Sequence, residues 1–78
     1  MKVTHDSEID AAYITIVDSI KAGEAALQLT ARLITDREHP PLAEFILDLD
    51  RDGKLLGIEV LGAMSGLRAE TLSLADKR

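Results

Sequence analysis

Phe45, Leu47 and Leu49 recur at every second position, and so do Leu56, Ile58 and Val60 a few residues later. A period of two puts alternate side chains on one face of an extended chain, so these runs predict strands over 45–49 and 55–61. Between them stand Asp50, Asp52 and Gly53, turn residues because Asp side chains bond nearby backbone and Gly tolerates positive φ. The whole predicts a β-hairpin around an Asp-Gly turn. Upstream, residues 2–5 predict a short strand and 6–10 a polar turn. Residues 11–17 predict a second strand, because 14–17 are densely β-branched and follow Tyr13. A helix competes there, since Ile9, Ala12, Tyr13, Ile16 and Ile20 fall at helical spacing with Asp6 as a candidate cap. The β-branching favours the strand.

Residues 18–23 form a connection, and 24–34 stay open between two states. Leu27, Leu29, Ala31 and Leu33 alternate with Gln28, Thr30 and Arg32, which suits a strand with one wet face. The Ala and Leu content suits a helix equally. Pro40 and Pro41 end regular pairing in a loop over 36–41. Gly62 and Gly66 punctuate the exit from the hairpin, and 67–75 predicts a short C-terminal helix with Leu72 and either Leu67 or Ala75 facing inward.

The hairpin has a rival. Asp48, Asp50, Asp52, Gly53 and Glu59 also satisfy the pattern of a calcium loop, with Glu59 at the bidentate twelfth position. Leu56 stands at position 9, where it supplies no ligand. Such a loop also needs a helix on each side. Pro41 leaves only residues 42–47 for the entering helix, and Gly57, Gly62 and Gly66 interrupt the leaving one. The hairpin accounts for the same residues without these conflicts.

The chain has 78 residues, no Cys, one Tyr, one Phe and a formal net charge of −5. That length suits one small domain, whose core must be built from small aliphatics and is marginal unless it continues across a subunit interface. The nine Lys and Arg are scattered, so nucleic acid and anionic membranes are poor partners. No run resembles a signal segment or a membrane span, which makes a soluble cytoplasmic protein the default expectation.

Val3, the run Asp6-Ser7-Glu8-Ile9-Asp10-Ala11-Ala12-Tyr13-Ile14, the run from Leu47 to Leu61 and Ala63 carry a family resemblance. On these residues the chain resembles the bacterial family known as domain of unknown function 2283. His5 departs from the Tyr more usual there, and 24–43 shows little likeness. The resemblance implies a small, mainly antiparallel β domain with a C-terminal helical tail, and no established activity. Some relatives are encoded beside small toxin-like proteins, which implies an antitoxin-like or partner role by association alone.

Candidate chemistry is sparse. Asp6, Glu8 and Asp10 would share a face on an extended chain, where three carboxylates suit a divalent cation; a solvated turn with Asp6 capping the next element is the plainer account. His5 beside them is a candidate general base. His39 in the proline loop has no evident role. Glu59, between Ile58 and Val60, is expected on a solvated strand face, with a subunit interface or pairing to Arg32 or Lys54 as alternatives. No nucleophile–base pair or phosphate-binding Gly loop is present.

The expectation is an α+β fold, mainly β: one domain, a small antiparallel sheet of four to five strands with a short C-terminal helix. The function expected is a self-associating protein-interaction module, most simply a twofold dimer, with a second protein partner such as a small toxin. The alternative is a divalent-metal-binding protein or metal-dependent enzyme using the carboxylates of 6–10 or 48–59. No cofactor and no catalytic, cofactor-binding or metal residue is assigned. The dimer follows from 11–17 and 55–61, which are apolar on both faces of a sheet that one short helix can cover on one side only.

Overall fold

The computed structural model describes residues 1–77. It contains strands β1 (Lys2–Asp6), β2 (Ala11–Thr15), β3 (Leu27–Leu33), β4 (Ala43–Leu49) and β5 (Leu55–Leu61), helices α1 (Ala63–Gly66) and α2 (Ala69–Ser73), and strand β6 (Asp76–Lys77). The strands form one sheet in the order β3-β4-β5-β2-β1-β6. Neighbours are antiparallel except β6, which runs parallel to β1 through Thr4↔Asp76 and His5↔Lys77. The fold is mainly β, as expected, with one strand more than the four to five anticipated. The C-terminal helix expected over 67–75 is the shorter α2, since Leu67 is extended at φ −117°, ψ 147°, and α1 is an additional helix before it. None of the described helices is long and apolar enough to cross a membrane.

The open choice at 24–34 resolves to strand. β3 pairs with β4 without a break from Leu27↔Leu49 to Leu33↔Ala43, so cross-strand pairing overrides the helix propensity of its Ala and Leu. The predicted strand over 11–17 ends at Thr15, because Ile16 and Val17 both donate to the Leu56 carbonyl (2.9 and 3.4 Å) where the chain leaves the ladder. The hairpin is confirmed. Its connection runs from Asp50 to Lys54, closed by Asp50 N–H to the Lys54 carbonyl at 2.8 Å. The Asp50 carboxylate accepts the N–H groups of Asp52 and Lys54, both at 2.9 Å, and Gly53 takes φ 82°. A bulge follows: Asp48 opposes Gly57 while Leu49 opposes Leu55, leaving Leu56 as the extra residue.

Register sorts the side chains into two faces. One carries Ala12 and Ile14, Ile58 and Val60, Phe45 and Leu47, then Leu29 and Ala31 across the sheet. The helices pack on this face, where Ala63 of α1 joins Ala12 and Val60 in a buried cluster with Phe45, Ile14, Ile58, Leu67 and Leu72 around it. Leu67 and Leu72 thus face inward as expected. The opposite face carries Gln28, Thr30 and Arg32, then Glu44, Ile46 and Asp48, Glu59 and Tyr13.

The core is slight. Its buried apolar residues are Ala11, Ala12, Ala43, Leu56, Val60 and Ala63, and Val60 is the largest that is fully buried. The helices shelter the middle of the sheet and leave its β3 side open.

Candidate functional site

Three places hold residues singled out by sequence: the polar face around Tyr13, the turn after β1, and the uncovered strand β3.

Tyr13 lies on the polar face, where its ring packs over Gly57. A Cβ at Gly57 would overlap the Tyr13 hydroxyl and sit 2.7 Å from ring carbons Cε2 and Cζ, so glycine is required for this approach. The hydroxyl donates to Asp48 Oδ2 at 2.7 Å, and Gln28 Nε2 donates to Asp48 Oδ1 at 2.8 Å. Side chains from β2 and β3 thus meet on one carboxylate of β4, because register brings Asp48 opposite Gln28 on one side and Gly57 on the other. Burial, the hydrogen bond to Asp48 and the charges of Asp48 and Glu59 push the Tyr13 phenol well above its ordinary 10.0. The hydroxyl therefore stays protonated as a donor and is not prepared as a base or nucleophile. Beside it is a depression of about 470 Å³, lined by Lys2, Tyr13, Thr15, Asp18, Ile20 and Glu59 among others.

These contacts bear on two readings of the acidic residues. Asp48 and Glu59 belong to β4 and β5, and Asp50 serves the turn backbone, so the carboxylates do not wrap a calcium-loop centre. Glu59 is partly buried next to Tyr13; Arg32 pairs instead with Glu44, Nε to Oε2 at 3.8 Å. Among the described residues, no group of three or more His, Asp or Glu side chains is arranged to hold a metal ion.

At the turn after β1, residues 7–10 are not extended, so Asp6, Glu8 and Asp10 do not line up on one strand face. Asp6 accepts the Glu8 N–H at 3.0 Å, a bond within the turn and not a cap on the next element. Asp10 is the pivot. It takes φ 51°, a conformation Asp tolerates better than most residues. Its carbonyl accepts the N–H groups of Gly62 and Ala63, both at 3.0 Å, and its carboxylate accepts the Met64 N–H at 3.2 Å. One residue from the first turn thereby satisfies the start of α1. His5 Nε2 lies 3.0 Å from Asp10 Oδ1 and so orients this carboxylate. The His–carboxylate pair weighed as a general base is real, and its carboxylate is committed to a helix start. His39 has a partner too: its Nδ1 lies 2.7 Å from Asp36, and this bond holds the Asp36 carboxyl below the usual carboxylate range.

The third place is the least subtle. Every residue from 21 to 40 is exposed, including all of β3. Leu27 is 48% exposed, Leu29 59%, Leu33 42% and Ile34 54%, well beyond what a strand's apolar face shows when covered.

Residues 2–63 match the family described as "Protein of unknown function (DUF2283)". The chain belongs to this family. The match spans β1 to β5 and reaches Ala63 at the head of α1, so it includes the 24–43 segment that carries little visible likeness. Asp10, Tyr13, Asp48, Gly57 and Gly62 all fall within the matched residues. Neither curated proteins nor solved structures provide a match. The Tyr13–Asp48–Gln28 bond and the Asp10 pivot were not foreseen from the sequence. The signal for the first was Gly57 inside a strand pattern, which marks a close approach of another group.

Proposed function

We propose that this member of DUF2283 is a self-associating protein-interaction module. The observation that carries the reading is β3: seven residues, alternately apolar, with no residue buried. A strand whose leucines gain so little from their own chain is explained when a second surface covers them. The helices already occupy the same face over β4 and β5, so the open area is a shelf beside them rather than the opposite side of the sheet. The interaction surface is therefore displaced from where apolarity on both faces of 11–17 would put it. Tyr13 and Thr15 make the far face of β2 polar.

The test is mass by light scattering from low to high micromolar concentration. The expected result is a mass above 8.5 kDa that rises towards twice that value. A mass of 8.5 kDa throughout overturns the reading. Leu29→Lys is expected to hold the protein at the monomer mass while leaving its circular dichroism unchanged, since Leu29 has little cover within its own chain.

A further inference from the structure

We propose that β3 pairs with β3 of a second copy, antiparallel about a twofold axis at Thr30, so that two sheets become one. This rests on the self-association reading and gives its geometry.

The sheet has two unlike edges. At one, β6 is two residues long and consists of Asp76 and Lys77. Short, charged edges resist further pairing. At the other, β3 has seven residues in unbroken register with β4, and it contains no Pro, no Lys and no bulge. Its outer row of N–H and C=O groups has no strand beside it among the described residues. Edges left in this state are templates for another strand. One open and one blunted edge give an assembly that closes at two copies instead of growing into a filament.

The symmetry selects the register. In a twofold antiparallel pair one residue faces its own counterpart, and only Thr30 in that role lets all seven residues of Leu27–Leu33 pair. Leu27 then faces Leu33 of the second copy, and Leu29 faces Ala31, a large side chain against a small one. On the polar face Gln28 meets Arg32. Gln28 gives its amide N–H to Asp48 at 2.8 Å, so its amide oxygen is the group left to accept. The Arg32 side chain is 60% exposed and holds Glu44 only at 3.8 Å, so it has donors to give. The acidic Asp48 behind Gln28 adds attraction for the arriving guanidinium.

The chain has no Cys, so single cysteines report contacts cleanly. Directly opposed residues have Cα atoms about 4.5–5.5 Å apart, within disulfide reach. Thr30→Cys is expected to form a disulfide-linked dimer under mild oxidation, and a mixture of Leu27→Cys with Leu33→Cys a mixed one. Leu47→Cys is expected to stay unlinked, because two β4 strands in a joined sheet lie about 14 Å apart. Arg32→Glu is expected to weaken the dimer by about tenfold or more. A dimer by light scattering that leaves Thr30→Cys unlinked overturns the edge pairing. If Leu47→Cys then links, the shelves pack face on face and self-association stands. A monomer at every concentration removes both proposals.

Discussion

Tyr13 and Gly57 act as one unit. The Tyr13 ring lies where a Gly57 side chain would be, and its hydroxyl ties β2 to Asp48 of β4 across β5. Gly57→Ala is expected to push the ring aside and cost about 1 kcal/mol through the lost hydrogen bond, measured by urea denaturation. An unchanged midpoint would mean that the bond contributes nothing. Because the phenol is raised in the folded state, the folded chain keeps its proton where the unfolded chain, with an ordinary value of 10.0, loses it. The contribution is complete below pH 10 and falls as pH rises beyond it. Tyr13 is the one tyrosine of a chain without Trp, so tyrosinate absorbance reports it alone. The expected titration shows no tyrosinate near pH 10 and its appearance together with loss of secondary structure. In Gly57→Ala the phenol is expected to titrate nearer 10. Asp10→Ala is expected to cost about 1–3 kcal/mol by freeing the N–H at the start of α1, and Asp10→Asn to recover part of it, since Asn keeps an acceptor and tolerates positive φ.

Strand β3 and the β4–β5 hairpin differ in what holds them. The hairpin is specified locally, by the Asp50 carboxylate on two backbone N–H groups and by Gly53 at φ 82°. Gly53→Val is expected to destabilise the fold by about 1 kcal/mol or more, read from the denaturation midpoint at unchanged slope. β3 has no such local device. It exists because β4 offers a ladder, and its own side chains add little while exposed. In hydrogen exchange at low micromolar concentration, β3 amides are expected to exchange before those of β5. Raising the concentration is expected to slow β3 selectively, as pairing with a second copy would.

The assembled chain is short of buried volume. A core whose largest fully buried side chain is Val60 gives a small domain little margin. Stability linked to association depends on concentration. The melting temperature is therefore expected to rise with protein concentration for the parent chain and to be flat for Leu29→Lys. A flat response in both would separate folding from self-association. The DUF2283 match extends over 2–63 and so includes β3.

Period-two alternation and the Asp-Gly turn were enough to specify β4, β5 and their turn, because neighbours in sequence make those contacts. The turn at 6–10 was legible for the same reason, and the inward Leu67 and Leu72 because they are apolar positions in a polar segment. At 24–34 the residues serve a strand or a helix equally well, and only the free edge of β4 decided between them. β6 could not be read, since Asp76 and Lys77 have no strand preference and are placed by β1. The Asp10 carboxylate reaches a helix start 54 residues away, and the Tyr13 hydroxyl a carboxylate 35 residues away. Such pairings depend on the order of strands in the sheet, which local pattern does not contain. The same order left one leucine-bearing strand uncovered at the edge of the sheet, where we propose that a second copy pairs.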